Sequence, residues 1–512
     1  MNRAGLYLLI FLNFSVNQYC RAQIQISVTL DRGHDMGQSF GSLFELTSEE
    51  TGLVIGAGFQ NGYNTYMRAD RHSVDFFVRP RDSRRTLEIQ QLPRPTPLCG
   101  TYLQSRDGQL FSMEGGVNRW KPGENRWEAD LKLQGETIRV GHRLLSFADG
   151  MVSVDGTVVL DRPESGSYQR FFYANGYLCF YHVNRGEGGY RPYKEDRDGF
   201  SKLYACQWQP GEGKPDLAKA VVLRLPVVGE TTFAWGQLGR QNLTCSNIGG
   251  FYVLENGRWK TLRQPDTSVS YQIYSTLEYY DRLLMGQYPT GRIFSYDGSR
   301  ITEIENWPPV PPGVSGSARE AQTTAIYGGE LFVGLWPWGE LWRYERESRK
   351  WFLDRRMFDH PAISDQIIHP YDKESRGAEV PNRWGQRVTS LIPLGADLFV
   401  STSAKDPCVW DAGKYPFLAS GQWKSYGAVY RLSMPGHLSS NVRWTDGPTK
   451  LDFYLSRDRM RIIQDGEEIG NVALSRELAE RVVKMKKPAQ VSWGQGIFGQ
   501  FGGRQINGEI RE

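Results

Sequence analysis

The chain has 512 residues and a formal net charge of +4, with 61 basic residues nearly balanced by 57 acidic ones. This balance excludes a general electrostatic case for nucleic-acid binding, and the length allows several ordinary domains or one large domain built from repeats. Aromatic residues make up 13% of the chain and glycine occurs 56 times, which favours many short strands and tight turns over helices.

The first 22 residues have the pattern of a secretory signal peptide. Arg3 supplies a positive charge, residues 6–14 (LYLLIFLNF) form an apolar core too short to span a bilayer, and Ala22 is a small residue suited to the position before cleavage. An uncleaved membrane anchor is the alternative. No later segment approaches a membrane span, so the sequence predicts a secreted protein, extracellular or periplasmic, that begins at Gln23.

Five cysteines remain after removal of the signal peptide: Cys99, Cys179, Cys206, Cys245 and Cys408. An odd number spread over a long chain is not a disulfide framework, and no CxxC or metal-ligand spacing occurs. At most two bridges can form. In the strand register expected below, Cys179 and Cys206 point to opposite faces of one sheet, which argues against a bridge between them. Asn242 begins a glycosylation sequon, which has meaning only in a eukaryotic host.

A six-residue pattern recurs along the chain: Gly, any residue, aliphatic, aromatic, any residue, apolar. Its copies begin at Gly108, Ser201 (Ser in place of Gly), Gly249, Gly291, Gly339 and Gly427, with weaker copies at Gly62 and Gly150. Consecutive copies are 42–51 residues apart except for a last step of 88, and most follow a second apolar strand. Four antiparallel strands in each such step are typical of a β-propeller blade, which is buried on both faces.

Two segments carry a family resemblance, residues 330–351 (ELFVGLWPWGELWRYERESRKW) and 119–128 (RWKPGENRWE). Each combines an apolar or aromatic strand with a glycine, a polar turn and a Trp, and in this they resemble degenerate kelch-type blades. The resemblance extends in outline over residues 40–446. It implies the propeller class that the repeat spacing also indicates.

The predicted fold is therefore all-β, a β-propeller of seven or eight four-stranded blades with a small C-terminal α/β appendage. The propeller is assigned to residues 23–446 and the appendage to residues 447–512. Within the appendage, residues 451–455 have the pattern of a strand and residues 475–487 that of a helix.

Three segments exceed the length of a hairpin turn: residues 183–200, 355–386 and 402–426. With the strands of a blade called A to D from the axis outward, all three fall in B–C or D–A connections, which open on the same face of the disc. The 88-residue step is interpreted as an insertion, not a missed blade. Long loops on one face of a rigid scaffold are where binding and catalysis usually occur.

The catalytic candidates are acid–base residues of these loops, because imidazole and carboxylate groups can move protons near neutral pH. They are His182, Asp359, His360 and His369. The alternative is a solvated loop whose charges pair with one another.

The ligand-binding candidates are arginines, which grip anionic groups, and aromatic residues, which stack on sugar faces. They are Arg185, Tyr190, Arg191, Tyr193, Tyr288, Trp336, Trp338, Arg383 and Trp384. For Trp336 and Trp338 two roles stay open: a stacking platform shared with Tyr288, or packing beneath the 355–386 segment.

The sequence predicts a secreted propeller that binds, and could also cleave, a poly- or oligosaccharide through its loop-rich face. A non-enzymatic protein-interaction scaffold is the alternative, with the same aromatic residues as hot spots. A copper-radical oxidase on a kelch-like propeller is a third alternative, for which no Cys–Tyr constellation is identifiable. The sequence identifies no metal or cofactor and does not give the oligomeric state.

Overall fold

The computed structural model of the chain describes residues 24–31, 33–38, 41–60, 62–64, 69–81, 85–131, 135–268, 271–304, 307–314, 318–374, 383–485, 490–495, 500–506 and 509–510. Nearly all regular structure within these residues is antiparallel β-sheet. The sheets form two units, a propeller and a β-sandwich. The signal peptide predicted at residues 1–22 lies outside the described residues.

The propeller contains seven blades among the described residues, each with four antiparallel strands ordered A to D from the axis outward. Blade 1 consists of Leu103–Arg106, Gln109–Ser112, Asn118–Lys121 and Arg126–Ala129. Blade 2 consists of Glu136–Val140, Arg143–Ala148, Met151–Val154 and Thr157–Leu160. Blade 3 consists of Ser167–Ala174, Tyr177–Asn184, Phe200–Gln207 and Val221–Arg224. Blade 4 consists of Thr232–Leu238, Gln241–Ser246, Phe251–Glu255 and Arg258–Arg263.

The remaining blades complete the ring. Blade 5 consists of Gln272–Tyr279, Arg282–Tyr288, Ile293–Tyr296 and Ile301–Glu303. Blade 6 consists of Glu320–Tyr327, Glu330–Trp336, Glu340–Glu345 and Lys350–Arg356. Blade 7 takes Arg387–Leu394, Asp397–Ser403 and Val429–Ser433 from the C-terminal side and its outer strand, Glu88–Gln91, from the N-terminal side. The ring is therefore closed by strand pairing, with Gln91 opposite Tyr430.

Apolar side chains on both faces of each blade hold neighbouring blades together. In the B strand of blade 6, Leu331 and Val333 pack into the core shared with blade 5, and Phe332, between them, packs into the core shared with blade 7. Successive residues of a strand point to opposite faces. This burial on both sides explains why the propeller strands read as continuous apolar runs instead of alternating ones.

The sandwich is built from both ends of the described chain. One sheet has the order His437–Asn441, Ser73–Pro80, Leu53–Phe59, Ser42–Ser48, Gln490–Gln495. The other has the order Glu467–Ala473, Arg459–Gln464, Thr449–Leu455, Ile24–Asp31, Gln500–Ile506, Glu509–Ile510. A single apolar core fills the space between them. The helix Arg476–Lys484 adds Leu478 and Val482 to this core, and its N-cap Ser475 accepts a hydrogen bond from the Leu478 amide at 3.4 Å.

The strand between Gly62 and Asn64 leaves the sandwich and enters the central channel of the propeller. It pairs with the inner strand of blade 5, with Tyr63 opposite Thr276. Tyr63 is buried, and its ring lies 6.0 Å from that of Phe172 on the inner strand of blade 3. A short segment that connects two sandwich strands thus occupies part of the channel.

The all-β propeller prediction is confirmed, with seven blades among the described residues, but the strand pairing divides the chain differently from the predicted boundaries. The segment 24–80 was assigned to the propeller, and the structure pairs it with residues 437–506 in the sandwich. The repeat copy at Gly62 is the channel strand and not part of a blade. Ring closure explains this arrangement, because the chain enters blade 7 at Glu88 and leaves it at Ser433, side by side.

Short connecting elements complete the described structure. The 3-10 turns are Pro122–Glu124, Asp196–Asp198, Leu217–Lys219 and Gln422–Ser425, and a short helix spans Pro370–Glu374. Arg191–Pro192 pairs with Val227–Val228 in a two-stranded ribbon. The predicted insertion at residues 355–386 contains, among its described residues between blades 6 and 7, only the short helix and no additional strand.

Candidate binding face

The two faces of the propeller have different neighbours. The sandwich lies against the face formed by A–B and C–D turns: the Arg85 guanidinium donates to the Gly328 carbonyl at 2.7 Å, and the Gly328 amide donates to His437 Nδ1 at 3.1 Å. We call this the covered face. The opposite face carries the B–C and D–A connections, and we call it the open face. The structure places the three long loops on the open face, as the sequence predicts.

The loop between the B and C strands of blade 3 is braced by its own side chains. The Arg191 guanidinium donates to the Arg185 carbonyl at 2.8 Å, and the Tyr193 hydroxyl donates to Asp196 at 3.0 Å. The Arg185 side chain is exposed. Of these three predicted ligand-binding residues, Arg191 and Tyr193 therefore stabilise the loop in the observed state.

Tyr190 and His182 differ in exposure, although both belong to the same region of blade 3. Tyr190 is exposed, and its hydroxyl accepts a hydrogen bond from the Asn247 side chain of blade 4. The His182 ring packs 4.8 Å from that of Tyr168, and its Nε2–H donates to the Ser165 carbonyl at 2.8 Å. Burial lowers the pKa of His182. His182 is thus packed within blade 3.

Trp336 and Trp338 pack beneath the insertion at residues 355–386, which we call the blade 6–7 insertion. Trp338 is 1% exposed, its ring lies 4.8 Å from that of His369, and the Arg356 guanidinium lies 5.3 Å from its centroid. Trp336 is also buried, with the Arg387 guanidinium 5.3 Å from its ring. Of the two roles that the sequence left open, the structure places these indoles in the packing position and not on an exposed platform.

The two histidines of the blade 6–7 insertion are engaged within it. His360 Nε2–H donates to the Gln422 carbonyl at 3.0 Å, which leaves Nδ1 as the acceptor for the Tyr371 hydroxyl at 2.9 Å. Burial lowers the pKa of His360, and burial lowers the pKa of His369 to about 3. The Asp359 side chain is 94% exposed, with an oxygen 3.8 Å from His360 Nε2.

Arg383 and Trp384 join the blade 6–7 insertion to the long B–C loop of blade 7. The Arg383 guanidinium donates to the Tyr415 hydroxyl at 2.7 Å and to Asp406 at 2.9 Å. The Trp384 indole is fully buried, with its ring 4.7 Å from that of Tyr415 and 5.3 Å from that of Tyr426. These predicted ligand-binding residues therefore hold two loops of the open face in one packed unit.

A buried carboxyl group at the start of the blade 6 inner strand was not identified from the sequence. Burial raises the pKa of Glu320 to about 7, and Arg387 and Lys405 act in the opposite direction. Tyr288, at the end of the blade 5 B strand, lies beside this group, with its ring 6.1 Å from that of Trp336. A buried carboxyl group, two cations and a phenol thus lie close together near the channel mouth of the open face.

A second buried carboxyl group lies before the inner strand of blade 4. The Tyr252 hydroxyl donates to Glu230 at 2.7 Å, and burial raises the pKa of Glu230 to about 7. Glu136, Glu230 and Glu320 all stand at or just before the start of an inner strand. That recurrence is the sequence signal that could have identified these carboxyls.

An open cleft of about 760 Å³ lies on the same face over blades 1 to 3. Tyr63 of the channel strand lines it, together with Glu136, Asp149 and Arg170 from blades 2 and 3. The volume is within the range of about 300–1,000 Å³ that small-molecule sites occupy. The cleft is lined by charged and polar groups as well as by aromatic rings.

The structure does not assemble the predicted catalytic histidines into one site. His182 belongs to blade 3, whereas His360 and His369 lie over blades 6 and 7. Across the described ranges, no group of three or more His, Cys, Asp or Glu side chains is arranged to hold a metal ion. Neither of the described α-helices is long and apolar enough to cross a bilayer.

Comparisons with known proteins give no family assignment. No protein-family model matches the chain, and no curated protein matches it. Solved structures that match the chain include BamB from Moraxella catarrhalis (10% identity, 67% of this chain and 89% of that one, TM-score 0.33). Others are YCF48 bound to a D1 peptide (10%, 69% and 98%, TM-score 0.33) and the computationally designed Ika8 protein (11%, 78% and 100%, TM-score 0.34). The class of the protein, a β-propeller, rests on the strand pairing.

Proposed function

We propose that the protein is a non-enzymatic binding protein whose open face holds a partner protein. The supporting observation is the distribution of exposed apolar side chains. Among the described residues, six large ones lie in open-face loops: Leu131, Tyr190, Val310, Ile367, Ile368 and Val409. The other five lie on outer strands (Ile89, Val158, Val222, Leu262) and on the sandwich helix (Val483), and none lies on the covered face.

The exposure of these side chains favours a protein partner. Leu131 is 91% exposed and Ile367 is 60% exposed. Apolar groups surrounded by charged ones are the usual composition of a protein-binding surface.

Rigid support beneath the loops favours the same function. The loops over blades 6 and 7 are anchored by the buried indoles of Trp338 and Trp384, so a partner would meet preformed loops. Preformed loops lose less conformational entropy when they bind, which raises affinity.

The state of the histidines supports binding over catalysis. Both nitrogens of His360 are used in hydrogen bonds, and His369 is buried with its pKa lowered to about 3. A general base needs a pKa near the working pH and access to the substrate.

We also propose that the chain acts outside the cytoplasm, because residues 1–22 have the composition of a signal peptide. A fusion of residues 1–30 to a reporter that folds only after export tests this. Reporter activity in the exported fraction is expected, and its loss is expected when Leu8 and Leu9 are replaced by Asp.

Capture from the extracellular or envelope fraction of the native host tests partner binding. The immobilised protein should retain a specific partner that the variant Ile367→Asp/Ile368→Asp/Val409→Asp loses by tenfold or more. The matched control is Val158→Asp/Val222→Asp/Leu262→Asp, which places the same charge at exposed apolar positions of three outer strands. Equal capture by wild type and both variants would show that the open face does not hold the partner.

Carbohydrate binding is the second candidate function, favoured by the 760 Å³ cleft with its polar lining. Titration calorimetry against a panel of neutral and uronate oligosaccharides tests it. Asp149→Ala in the cleft should weaken binding, whereas Glu124→Ala on the covered face should not, although each carboxylate pairs with an arginine in the structure. Absence of heat with every oligosaccharide would exclude this candidate and leave the protein-binding proposal in place.

A further inference from the structure

Two cysteines face each other across a short antiparallel contact at the edge of blade 7. Leu98 pairs with Val409 in an isolated antiparallel bridge, and the Cys99 amide donates to the Cys408 carbonyl at 2.7 Å. This register sets Cys99 opposite Cys408, with both side chains on the same face of the contact. Opposite residues joined by such a hydrogen bond in antiparallel strands have Cα atoms about 5.5 Å apart, within the roughly 4.4–6.8 Å that a disulfide requires.

The two thiols also share one environment. Cys99 is buried in the core between blades 6 and 7, and Cys408 is partly buried against the same core. Burial and the neighbouring Cys408 thiol raise the pKa of Cys99 to about 12, while Arg94 acts in the opposite direction. The Cys408 thiol is the more accessible of the pair.

The other cysteines are placed differently. Cys179 and Cys206 lie on adjacent strands of blade 3 but belong to the cores on opposite faces of it, as the sequence predicts. Cys245 is buried in blade 4, where its sulfur lies 3.9 Å from that of Met285. Within the described residues, Cys99 and Cys408 are therefore the pair that a disulfide can join without rearrangement of a blade.

We propose that Cys99 and Cys408 form a disulfide under oxidising conditions and that this bond makes the closure of the propeller ring covalent. Closure otherwise rests on non-covalent contacts, among them the pairing of Glu88–Gln91 with the C strand of blade 7 and the sandwich pairing of the two chain ends. Cys99 lies between that outer strand and blade 1, and Cys408 lies in the B–C connection of blade 7. The bond would span almost the whole propeller sequence, and closing a long loop removes much entropy from the unfolded chain.

The reaction needs an oxidant, which we take to be a small-molecule disulfide such as oxidised glutathione. The Cys408 thiolate attacks one of its sulfurs and releases one glutathione thiolate, leaving a mixed disulfide. The Cys99 thiolate then attacks the Cys408 sulfur and releases the second thiolate. The two cysteines lose two protons and two electrons, and the oxidant is reduced to two thiols. Because the thiolate is the nucleophile and both thiol pKa values are raised, formation should accelerate with increasing pH.

Oxidation of the folded, full-length protein tests the proposal. The protein is incubated with 5 mM oxidised glutathione, its remaining thiols are alkylated after denaturation, and its peptides are analysed by mass spectrometry. A peptide pair joined through Cys99 and Cys408 is expected. The oxidised protein should also unfold at a higher temperature than the reduced protein, by roughly 5 °C or more.

Two variants connect the bond with the stability change. Cys408→Ser should abolish the joined peptide and the temperature difference, whereas Cys206→Ala, at another buried cysteine, should retain both. Recovery of Cys99 and Cys408 as alkylated or separately glutathionylated peptides from wild type would overturn the proposal. A joined peptide without a change in the unfolding temperature would overturn the role in ring closure.

Discussion

The two faces of the propeller differ in what packs against them. On the covered face, charged pairs join the sandwich to the blade turns: Arg79, which is buried, donates to Glu347 at 2.9 Å, and Arg85 pairs with Glu330. The sandwich and blade 6 also lie very close together, since a Cβ atom on Gly329 of the blade would come within 2.4 Å of the Phe77 ring of the sandwich. This face is committed to a contact within the chain.

The long loops of the open face are held by aromatic packing together with ion pairs such as Arg383–Asp406. These loops rest on buried indoles such as Trp338 and Trp384, and they present apolar side chains such as Ile367 to solvent. The difference is that one face is occupied by the sandwich of the same chain, whereas the other carries the loops to which we assign the proposed partner. The variants below separate these two uses.

Removal of an indole beneath the open-face loops should have the largest effect. Trp338→Ala should lower the free energy of unfolding by about 3–5 kcal/mol, because a fully buried Trp leaves a large cavity. Urea denaturation measures this loss, and limited proteolysis should show new cleavage in the blade 6–7 insertion. Trp307→Ala, at a half-buried indole in the D–A connection before blade 6, is the control and should cost much less. Equal losses for the two would contradict the anchoring role.

The buried carboxyls should make stability fall as the pH rises. The pKa of Glu320 is raised to about 7 by burial, so the folded state retains a proton that the unfolded state loses near pH 4.5. Its stabilising contribution is full below about pH 4.5 and is lost as the pH rises to 7, by up to about 3 kcal/mol.

Glu320→Gln should flatten this part of the pH profile, measured as urea unfolding at pH 5 and pH 8. Asp75→Asn should also flatten the pH profile, because burial within the sandwich raises the pKa of Asp75 to about 7. Identical pH slopes in wild type and both variants would show that neither carboxyl is buried as the structure has it.

Loss of a charge partner on the covered face should have an intermediate effect. Glu347→Gln should lower the free energy of unfolding by about 2 kcal/mol, because the Arg79 guanidinium stays buried without its counter-charge. Glu49→Gln removes the partner of Arg81 in an exposed pair and should cost less than about 0.5 kcal/mol. Chemical denaturation compares the two, and a larger effect for Glu49→Gln would contradict the covered-face interface.

A substitution on the open surface should leave stability almost unchanged. Ile367→Ala should change the free energy of unfolding by less than about 0.5 kcal/mol, because the side chain is mostly in solvent, yet weaken partner capture several-fold. Val222→Ala, 44% exposed on the outer strand of blade 3, should affect neither quantity. Unfolding and capture assays on the same preparations separate the two effects.

The propeller could be predicted from the sequence because each blade is a local unit. Its strands are joined by short turns, so the same pattern returns about every 42–51 residues. The same locality gave the position of the long loops and the opposite orientation of Cys179 and Cys206.

The sandwich could not be found in this way. Its strands pair between positions as distant as Ile24 and Leu455, and no local period records such a contact. The hairpin at residues 42–59 also resembles a blade hairpin, because the strands of both hairpins bury apolar side chains. Its pairing with Ser73–Pro80 and Gln490–Gln495, together with ring closure at Glu88, shows that this hairpin lies outside the propeller.

The face that carries the long loops was predicted, but the roles of its residues were not. Loop lengths identified the open face, but a Trp in a turn has the same sequence signature whether it contacts a ligand or supports a loop. Trp336 and Trp338 support a loop. Glu230 and Glu320 were missed, because their raised pKa values arise from burial between blades, which depends on tertiary packing.

Hydroxyl-radical footprinting of the intact protein tests the central claim, that one face is covered and the other open. Two tyrosines report on it: Tyr190 in an open-face loop, and Tyr280 in the A–B turn of blade 5, whose hydroxyl donates to Glu45 of the sandwich. The account predicts rapid oxidation of Tyr190 and protection of Tyr280. Oxidation of both at similar rates would show that the sandwich does not cover this face, and would contradict the account.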